Sequence, residues 1–302
     1  MDKDIPIINN TKLQENNEST KKKEKKEYVN TKENMNTEEK KEKKPKKERK
    51  PKIELQHFYN NETTQLEIGI DEAGRGPMFG RVYSAAVILP KNDEFQYYLL
   101  KDSKKFTSLK KIHEVAEYIK DNALAYSVEY EDEKTIDKIN IRNATHSAMH
   151  KAVKNTLNIY KSKFLNNVNE NNNENNNEKN TINYDCEMFF LLVDGNDFKS
   201  YTYLNNKDII KQVNHVLIEG GDNKFCSIAA ASILAKVERD KYIKEICDCY
   251  KKLDTYYGLE SNKGYGTAKH MEGIKKFGIS PWHRTTYGCC KQANVNTCDF
   301  YL

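Results

Sequence analysis

The chain has 302 residues, of which only 37% are hydrophobic, so we expect part of it to lack a folded core. Residues 1–52 contain 17 Lys and Arg against 11 Asp and Glu, whereas the rest of the chain contains 33 against 34. The basic charge therefore belongs to the N-terminal region, and any anion-binding surface on the body has to be local. No run is apolar enough to span a membrane, and the first residues lack the features of a secretory signal.

Residues 1–55 are dominated by Lys, Glu, Asn and Thr, which predicts a disordered tail. Within it, Lys40–Lys52 fits a nuclear-import signal or a nucleic-acid tether, and it fits a solvated charge run equally well. The seven Cys form no C-x-x-C pair and no zinc spacing, which favours reduced thiols in an intracellular protein. The sequence leaves the cytoplasm, the nucleus and an organelle open as compartments, although the Glu-rich tail is unlike a transit peptide.

The folded region is predicted to be residues 60–302, with a low-complexity, Asn-rich insert at residues 166–183 that loops out. Apolar patterns predict strands at Leu66–Ile70, Val82–Leu89, Ala123–Glu129, Met188–Val193 and His215–Ile218. They predict helices at Ser108–Asn122, Lys134–Phe164, Ser227–Tyr250 and Thr267–Phe277. This order of elements indicates an α/β domain built on a mixed sheet.

Acidic residues follow three of the predicted strands. These residues are Asp71 and Glu72, Asp194, and Asp222 after a Gly-Gly pair. Ligands of open α/β sheets usually bind at strand ends, and converging carboxylates repel one another unless a cation lies between them. Such oxygen ligands suit Mg²⁺ or Mn²⁺, and two such ions can clamp the oxygens of a phosphodiester. Each acid taken alone also fits an ordinary polar turn.

The glycines Gly74 and Gly76 flank Arg75 immediately after the first acid pair, and Pro77 follows. Backbone groups without bulky side chains can approach a sugar-phosphate closely, and Arg75 can hold a phosphate. A tight turn needs no ligand to explain it, so this pattern alone is a weak signal.

Several motifs together resemble the type 2 ribonucleases H, the ribonuclease HII family, which also includes the catalytic subunit of the eukaryotic counterpart. The matching blocks are IGIDEAGRGP at 68–77, KDSKKF at 101–106, KINIRNATHSAMHKAV at 138–153, LLVDG at 191–195, GGDNKFCSIAAASILAKVERD at 220–240, NKGYGTAKH at 262–270 and GISPWHRTTYG at 278–288. The arginine between the glycines resembles type HII rather than HIII, and the KGYGT block resembles bacterial-type single-chain enzymes. Three positions depart from the family pattern: Arg81, Phe106 and Asn262.

The resemblance implies the ribonuclease H-like fold, a central mixed β-sheet flanked by helices with a helical C-terminal part. It assigns catalysis and the binding of Mg²⁺ or Mn²⁺, two ions in number, to Asp71, Glu72, Asp194 and Asp222. It assigns reading of the ribonucleotide 2′-hydroxyl to Gly74, Arg75 and Gly76, packing on the sugar beside an RNA–DNA junction to Tyr265, and phosphate contacts to Lys104 and Lys105. Asp240 is expected to have an ion-pair or structural role instead.

By the same resemblance, the chain is expected to cut the RNA strand of RNA–DNA hybrids and single ribonucleotides embedded in duplex DNA. The products would carry 3′-hydroxyl and 5′-phosphate ends, as in primer removal during DNA replication and ribonucleotide excision in repair. One alternative is a non-catalytic nucleic-acid-binding subunit on a nuclease fold, and another is a metal-dependent DNA phosphodiesterase. The sequence predicts no membrane partner and does not identify protein partners.

Overall fold

A computed structural model describes residues 54–61, 65–164, 188–205 and 207–300. The predicted insert lies outside these residues, as does the predicted tail except for its last two positions. Those two positions lead into Gln56, whose backbone exchanges hydrogen bonds with Lys224 and Cys226 at 2.8 and 2.9 Å. The folded chain therefore begins a few residues before the predicted boundary at residue 60.

A five-stranded mixed sheet forms the centre of the described chain, as predicted. Its strands are β1 (Leu66–Ala73), β2 (Val82–Ile88), β3 (Ala125–Glu131), β4 (Phe189–Asp194) and β7 (His215–Ile218). They lie in the order β3-β2-β1-β4-β7, with antiparallel pairing among β1, β2 and β3 and parallel pairing from β1 through β4 to β7. The carboxyl ends of β1, β4 and β7 consequently lie at the same edge of the sheet.

Helices cover both faces of this sheet. On one face lie α1 (Leu109–Asn122) and α3 (Cys226–Cys249), and on the other lies α2 (Glu133–Phe164). The Ser108 side chain caps α1 by accepting a hydrogen bond from the Lys111 amide. All three helices lie within two residues of their predicted bounds, and in α1 the buried residues Ile112, Val115 and Ile119 repeat with the helical period.

Helix α2 is kinked at Asn140, which has a φ of 64° and a ψ of 163°. Its side chain accepts a hydrogen bond from the Asn143 amide at 3.0 Å and so caps the second part of the helix. The single helix predicted here therefore consists of two helical segments that meet at Asn140. A non-glycine residue with positive φ is strained, and the capping bond offsets part of that strain.

Close packing of α3 against β1 sets the position of the acid-bearing strand. A Cβ atom on Gly69 would lie 2.1 Å from the Ser227 carbonyl carbon, so only glycine lets the two backbones approach this closely. The apolar residues of α3 from Cys226 to Ala235 are buried, so this run serves helix packing. Successive β1 side chains alternate between faces, so Ile68 and Ile70 pack towards α2 while Asp71 faces α3.

The C-terminal part is helical, as predicted, with α4 (Lys251–Tyr257), α5 (Leu259–Asn262) and α6 (Ala268–Phe277). Its core is centred on Phe79, Leu253 and Tyr257, all fully buried. The sequence patterns did not predict α4, α5 or a small hairpin of β5 (Thr202–Leu204) and β6 (Ile210–Gln212). In the described part of the chain, no helix has the length and apolar character needed to cross a membrane.

Candidate active site

The four predicted acids lie at one edge of the sheet. Asp71 and Glu72 belong to β1, which continues past its predicted end at Ile70 because Asp71, Glu72 and Ala73 pair with β2. Asp194 is the last residue of β4, and Asp222 lies in a 3₁₀ turn four residues after β7. Parallel pairing of the strands therefore brings acids from three separate parts of the chain to the same place.

The raised pKa values of these acids show that they are close neighbours whose charges repel one another. Burial, then the charges of Glu72 and Asp194, raise the pKa of Asp71 well above its usual value. Burial, followed by Asp102 and Asp194, raises the pKa of Asp222. Burial raises the pKa of Glu72 as well, against the opposing charge of Arg75. Such an arrangement costs folding free energy, and a bound cation relieves it.

Two basic side chains share the acid cluster. The Arg75 guanidinium lies 3.4 Å from Glu72 Oε1, and the Lys104 ammonium lies 3.7 Å from Asp222 Oδ2. Both basic residues are largely exposed, with 48% and 81% of their side-chain surface accessible, so these ion pairs are weak and easily exchanged. Within the described residues, no three Asp, Glu, His or Cys side chains are arranged as a ready-made metal site.

Backbone and side-chain hydrogen bonds fix the orientation of the acids. The amides of Glu72 and Gly221 donate to Asp71 Oδ1 and to Asp194 Oδ1, each at 2.6 Å. The Ser232 hydroxyl of α3 bonds the Asp71 carboxylate and the Ser103 hydroxyl. The carboxylates are fixed in this way, so the edge is a set of oriented oxygen donors.

A fifth carboxylate, Asp102, lies behind Asp222 and was not predicted as part of the site. It is buried, accepts a hydrogen bond from the Lys104 amide at 2.8 Å, and shares the Asn223 side-chain amide with Asp222. Asp102 therefore anchors the segment that carries Lys104. The sequence offered only the KDSKKF block as a signal, because the burial of an acid is a property of the tertiary fold.

The glycine turn begins with Gly74, whose φ of 98° favours glycine. A Cβ atom there would lie 2.2 Å from Arg239 Nε, so the turn is also closed against α3. Arg75 and Gly76 are exposed. Among the hydrogen bonds of the described residues, none uses the backbone amide of Arg75 or of Gly76 as its donor. The turn thus presents two free N–H groups at the surface.

Tyr265 lies opposite this turn, with half of its surface exposed. It belongs to the loop that joins α5 to α6, where Asn262 accepts a hydrogen bond from the Gly264 amide and donates to the Tyr257 carbonyl. A Cβ atom on Gly76 would lie 3.4 Å from the Tyr265 ring. Position 262 departs from the family pattern, and the asparagine found there holds this loop through these two hydrogen bonds.

A cleft of about 440 Å³ joins most of the predicted site. Its lining includes Asp71, Glu72, Gly74, Arg75, Gly76, Lys104, Asp194 and Tyr265. Asp222 lies beside this lining through its ion pair with Lys104. A larger cleft of about 700 Å³ lies between α6 and residues 289–296, but its described lining contains no acid and is unsuited to metal chemistry.

Three further residues were singled out from the sequence. Lys105 is absent from the described lining of the cleft, and its ammonium donates to the Asn223 side chain. Asp240 lies inside α3 and forms the expected ion pair, with Lys236 at 2.9 Å. Arg81 stacks between two tyrosine rings, with its guanidinium carbon 3.9 and 4.4 Å from their centroids.

Comparison with known proteins shows which family the chain resembles. The sequence profile of the Ribonuclease HII family matches residues 68–188 and 165–290. Ribonuclease HII of Phocaeicola vulgatus is 39% identical over 222 residues, which cover 74% of this chain and 89% of that protein. Ribonuclease HII of Caldanaerobacter subterraneus subsp. tengcongensis is 40% identical over 239 residues, which cover 78% of this chain and 80% of that protein.

A solved structure shows the same fold. The ribonuclease H2 of Pyrococcus horikoshii OT3 superposes with a TM-score of 0.51 at 19% identity, covering 75% of this chain and 95% of that one. The family match spans all five strands of the central sheet and the acids at its edge. The chain belongs to the ribonuclease HII family and is a ribonuclease H, a hydrolase of phosphodiester bonds.

Proposed function

We propose that this protein is a metal-dependent endonuclease that cuts the RNA strand of RNA–DNA hybrids and single ribonucleotides embedded in duplex DNA. The products would carry 3′-hydroxyl and 5′-phosphate ends. One observation carries the proposal: an acid cluster, a turn with two free amides and an exposed tyrosine share one cleft. Each of these features serves a different part of the reaction.

The acids suit divalent cations of the hard type. Asp71, Glu72, Asp194 and Asp222 supply only oxygen donors, and the raised pKa values of three of them reflect a cluster that favours added positive charge. We propose Mg²⁺ or Mn²⁺, two ions in number. When bound, such ions activate water and stabilise the leaving oxygen of a phosphodiester.

The glycine turn and Tyr265 are proposed to select the ribonucleotide. The free N–H groups of Arg75 and Gly76 can donate to a 2′-hydroxyl, which is the group that separates RNA from DNA. The Arg75 guanidinium, which is half exposed, can hold the neighbouring phosphate. The Tyr265 ring faces the same space and offers a flat surface for the next sugar.

Lys104 is proposed to contact a second phosphate. Its side chain is largely exposed, and its backbone is fixed by the buried Asp102. Lys105 is proposed as a more distant phosphate contact, because its ammonium is engaged with Asn223.

The alternative of a binding-only protein is disfavoured by the acids. A cluster of partly buried, mutually repelling carboxylates costs stability and repels phosphates, which is opposite to what a nucleic-acid-binding surface requires. The cost is understandable when the acids serve catalysis through bound cations.

Cleavage of three matched duplexes tests the proposal. The duplexes share one sequence and contain only DNA, one ribonucleotide, or a full RNA strand opposite DNA. We expect cleavage of the second and third in Mg²⁺ or Mn²⁺, with none in EDTA and none of the all-DNA duplex. Cleavage of the all-DNA duplex would indicate a DNA phosphodiesterase, and binding without cleavage would indicate the non-catalytic alternative.

A further inference from the structure

Arg284 is fully buried, yet none of the acids in the described part of the chain pairs with its guanidinium. Its donors go instead to four backbone carbonyls of the glycine turn and its exit. Nε donates to Gly80 at 2.8 Å, Nη1 to Arg75 and Pro77 at 3.0 and 2.7 Å, and Nη2 to Gly74 at 2.6 Å. Burial lowers the pKa of Arg284 to about 10, so the side chain stays charged at neutral pH.

These bonds determine where the amides of the turn point. In a trans peptide the C=O of one residue and the N–H of the next point in opposite directions. Because Arg284 draws the carbonyls of Gly74 and Arg75 inwards, the N–H groups of Arg75 and Gly76 point outwards. These are the two free amides that face the cleft.

The neighbouring residue, His283, reaches the other half of the cleft. The Ser280 amide donates to His283 Nδ1 at 2.9 Å, so the proton of a neutral His283 lies on Nε2. That proton bridges to His270 Nε2 at 2.9 Å, and His270 Nδ1 then donates to the Tyr265 carbonyl at 2.9 Å. A directed chain of hydrogen bonds thus runs from residue 283 to the Tyr265 loop.

The two halves are also linked directly. The Met78 amide, which follows the Pro77 carbonyl held by Arg284, donates to the Gly264 carbonyl at 2.9 Å. The segment that carries both buried residues is fixed on its outer side by Asp137, whose carboxylate accepts four hydrogen bonds from Thr285 and Thr286 at 2.6–2.9 Å.

We propose that His283 and Arg284 are positioning residues that set ribonucleotide specificity by holding the Gly74–Gly76 turn and the Tyr265 loop at a fixed separation. This inference rests on the proposed function. Arg284 orients the amides that meet the 2′-hydroxyl, and His283 orients the loop that meets the following sugar. Neither residue touches the substrate. Arg284 acts through the carbonyls that it holds, and His283 acts through His270, which holds the Tyr265 carbonyl.

Two substitutions test the arginine. Arg284→Lys keeps the charge but cannot reach four carbonyls from one planar group. Tyr287→Phe is milder, because it removes only the hydroxyl that donates to the Arg75 carbonyl at 3.0 Å. Leu253→Ala is the matched control, since it opens a cavity in the same C-terminal core without contacting either loop through a hydrogen bond.

The measurement is the affinity of full-length protein for fluorescent duplexes in EDTA, with one ribonucleotide or none. The ratio of the two dissociation constants reports recognition of the 2′-hydroxyl and is independent of the fraction of folded protein. We expect wild type to prefer the ribonucleotide duplex about tenfold, as for one or two added hydrogen bonds. Arg284→Lys should bring the ratio close to one, and Tyr287→Phe should lower it in part. Leu253→Ala should melt earlier and keep the ratio.

A wild-type ratio retained in Arg284→Lys would overturn the arginine role. If Arg284→Lys does not fold, a wild-type ratio in Tyr287→Phe would overturn the premise that the hold on the Arg75 carbonyl sets the specificity. A wild-type ratio of one would also overturn it, while cleavage of the ribonucleotide duplex would keep the proposed function. For the histidine role, His283→Asn should slow cleavage at a single ribonucleotide more than cleavage within a long hybrid. Equal slowing on both substrates would remove His283 from the proposal.

Discussion

The buried His270–His283 pair makes the stability of this protein sensitive to acid. Burial, followed by the neighbouring His270, lowers the pKa of His283 well below its usual value, and burial lowers the pKa of His270. The hydrogen bonds add to this effect, because a proton added to His270 Nε2 would face the N–H of His283 Nε2 at 2.9 Å. A proton added to His283 Nδ1 would face the Ser280 amide, also at 2.9 Å. The unfolded chain takes up these protons near the ordinary histidine pKa of about 6.5.

The folded state therefore keeps its full stability above that value and loses stability as the pH falls below it. If both rings stay neutral in the folded state, each costs about 1.4 kcal/mol at about pH 5.5, or about 3 kcal/mol together. This is a large share of a typical folding free energy of about 5–15 kcal/mol.

Urea unfolding at neutral pH and at about pH 5.5 measures this loss, and His283→Asn isolates its cause. The variant removes one buried ring and leaves His270 Nε2 free to accept a proton, so its loss between the two pH values should be smaller by at least about 1.4 kcal/mol. His113→Asn, at an exposed position of α1, is the control and should lose as much as wild type. An equal loss in wild type and His283→Asn would refute this reasoning.

Three further outcomes are expected. Asp194→Asn should abolish nearly all cleavage while its melting temperature persists, because the amide oxygen still accepts from Gly221; near-normal turnover at saturating Mg²⁺ would remove Asp194 from the site. Deletion of residues 1–52 should leave cleavage by the body intact at low salt. It should also flatten the salt dependence of duplex binding, because fewer counterions are released. An unchanged slope of affinity against salt concentration would exclude a tethering role. Tyr265→Ala should cost about 1–3 kcal/mol at a junction and less within a long hybrid, as measured by cleavage rates; equal costs would indicate general packing.

Local sequence patterns were sufficient for the large elements. The apolar period of α1 placed that helix within one residue of its observed bounds. They failed where pairing with a neighbouring strand sets the length of a strand. Acids after an apolar run suggest a turn, but β1 continues through Asp71 and Glu72 because β2 pairs with them. They also failed for the hairpin of β5 and β6, whose three-residue strands expose Leu204 and Ile210 and so carry no burial pattern.

The residues of the site likewise divide into those that the sequence indicates and those that only the fold reveals. The recurrence of acids after apolar runs was enough to indicate Asp71, Asp194 and Asp222, because parallel strands must bring their ends together. The residues behind them could not be predicted, since Asp102 and Arg284 are charged and charged residues are ordinarily exposed. Their burial follows from backbone groups that converge only in the folded chain.

Strand β4 starts at one edge of the central sheet and ends among the acids at the other, which makes the protein a practical scaffold for engineering. Helix α2 ends at Phe164 and β4 begins at Phe189, with 24 residues between them. This segment therefore joins the sheet at the start of β4, where Leu66 of β1 pairs with Phe189. Five residue-to-residue steps along the strand separate Phe189 from Asp194, a distance of about 17 Å. A reporter or affinity tag placed between Phe164 and Phe189 would therefore enter far from the acids, and labelled enzyme could be followed on nucleic acid without alteration of its chemistry.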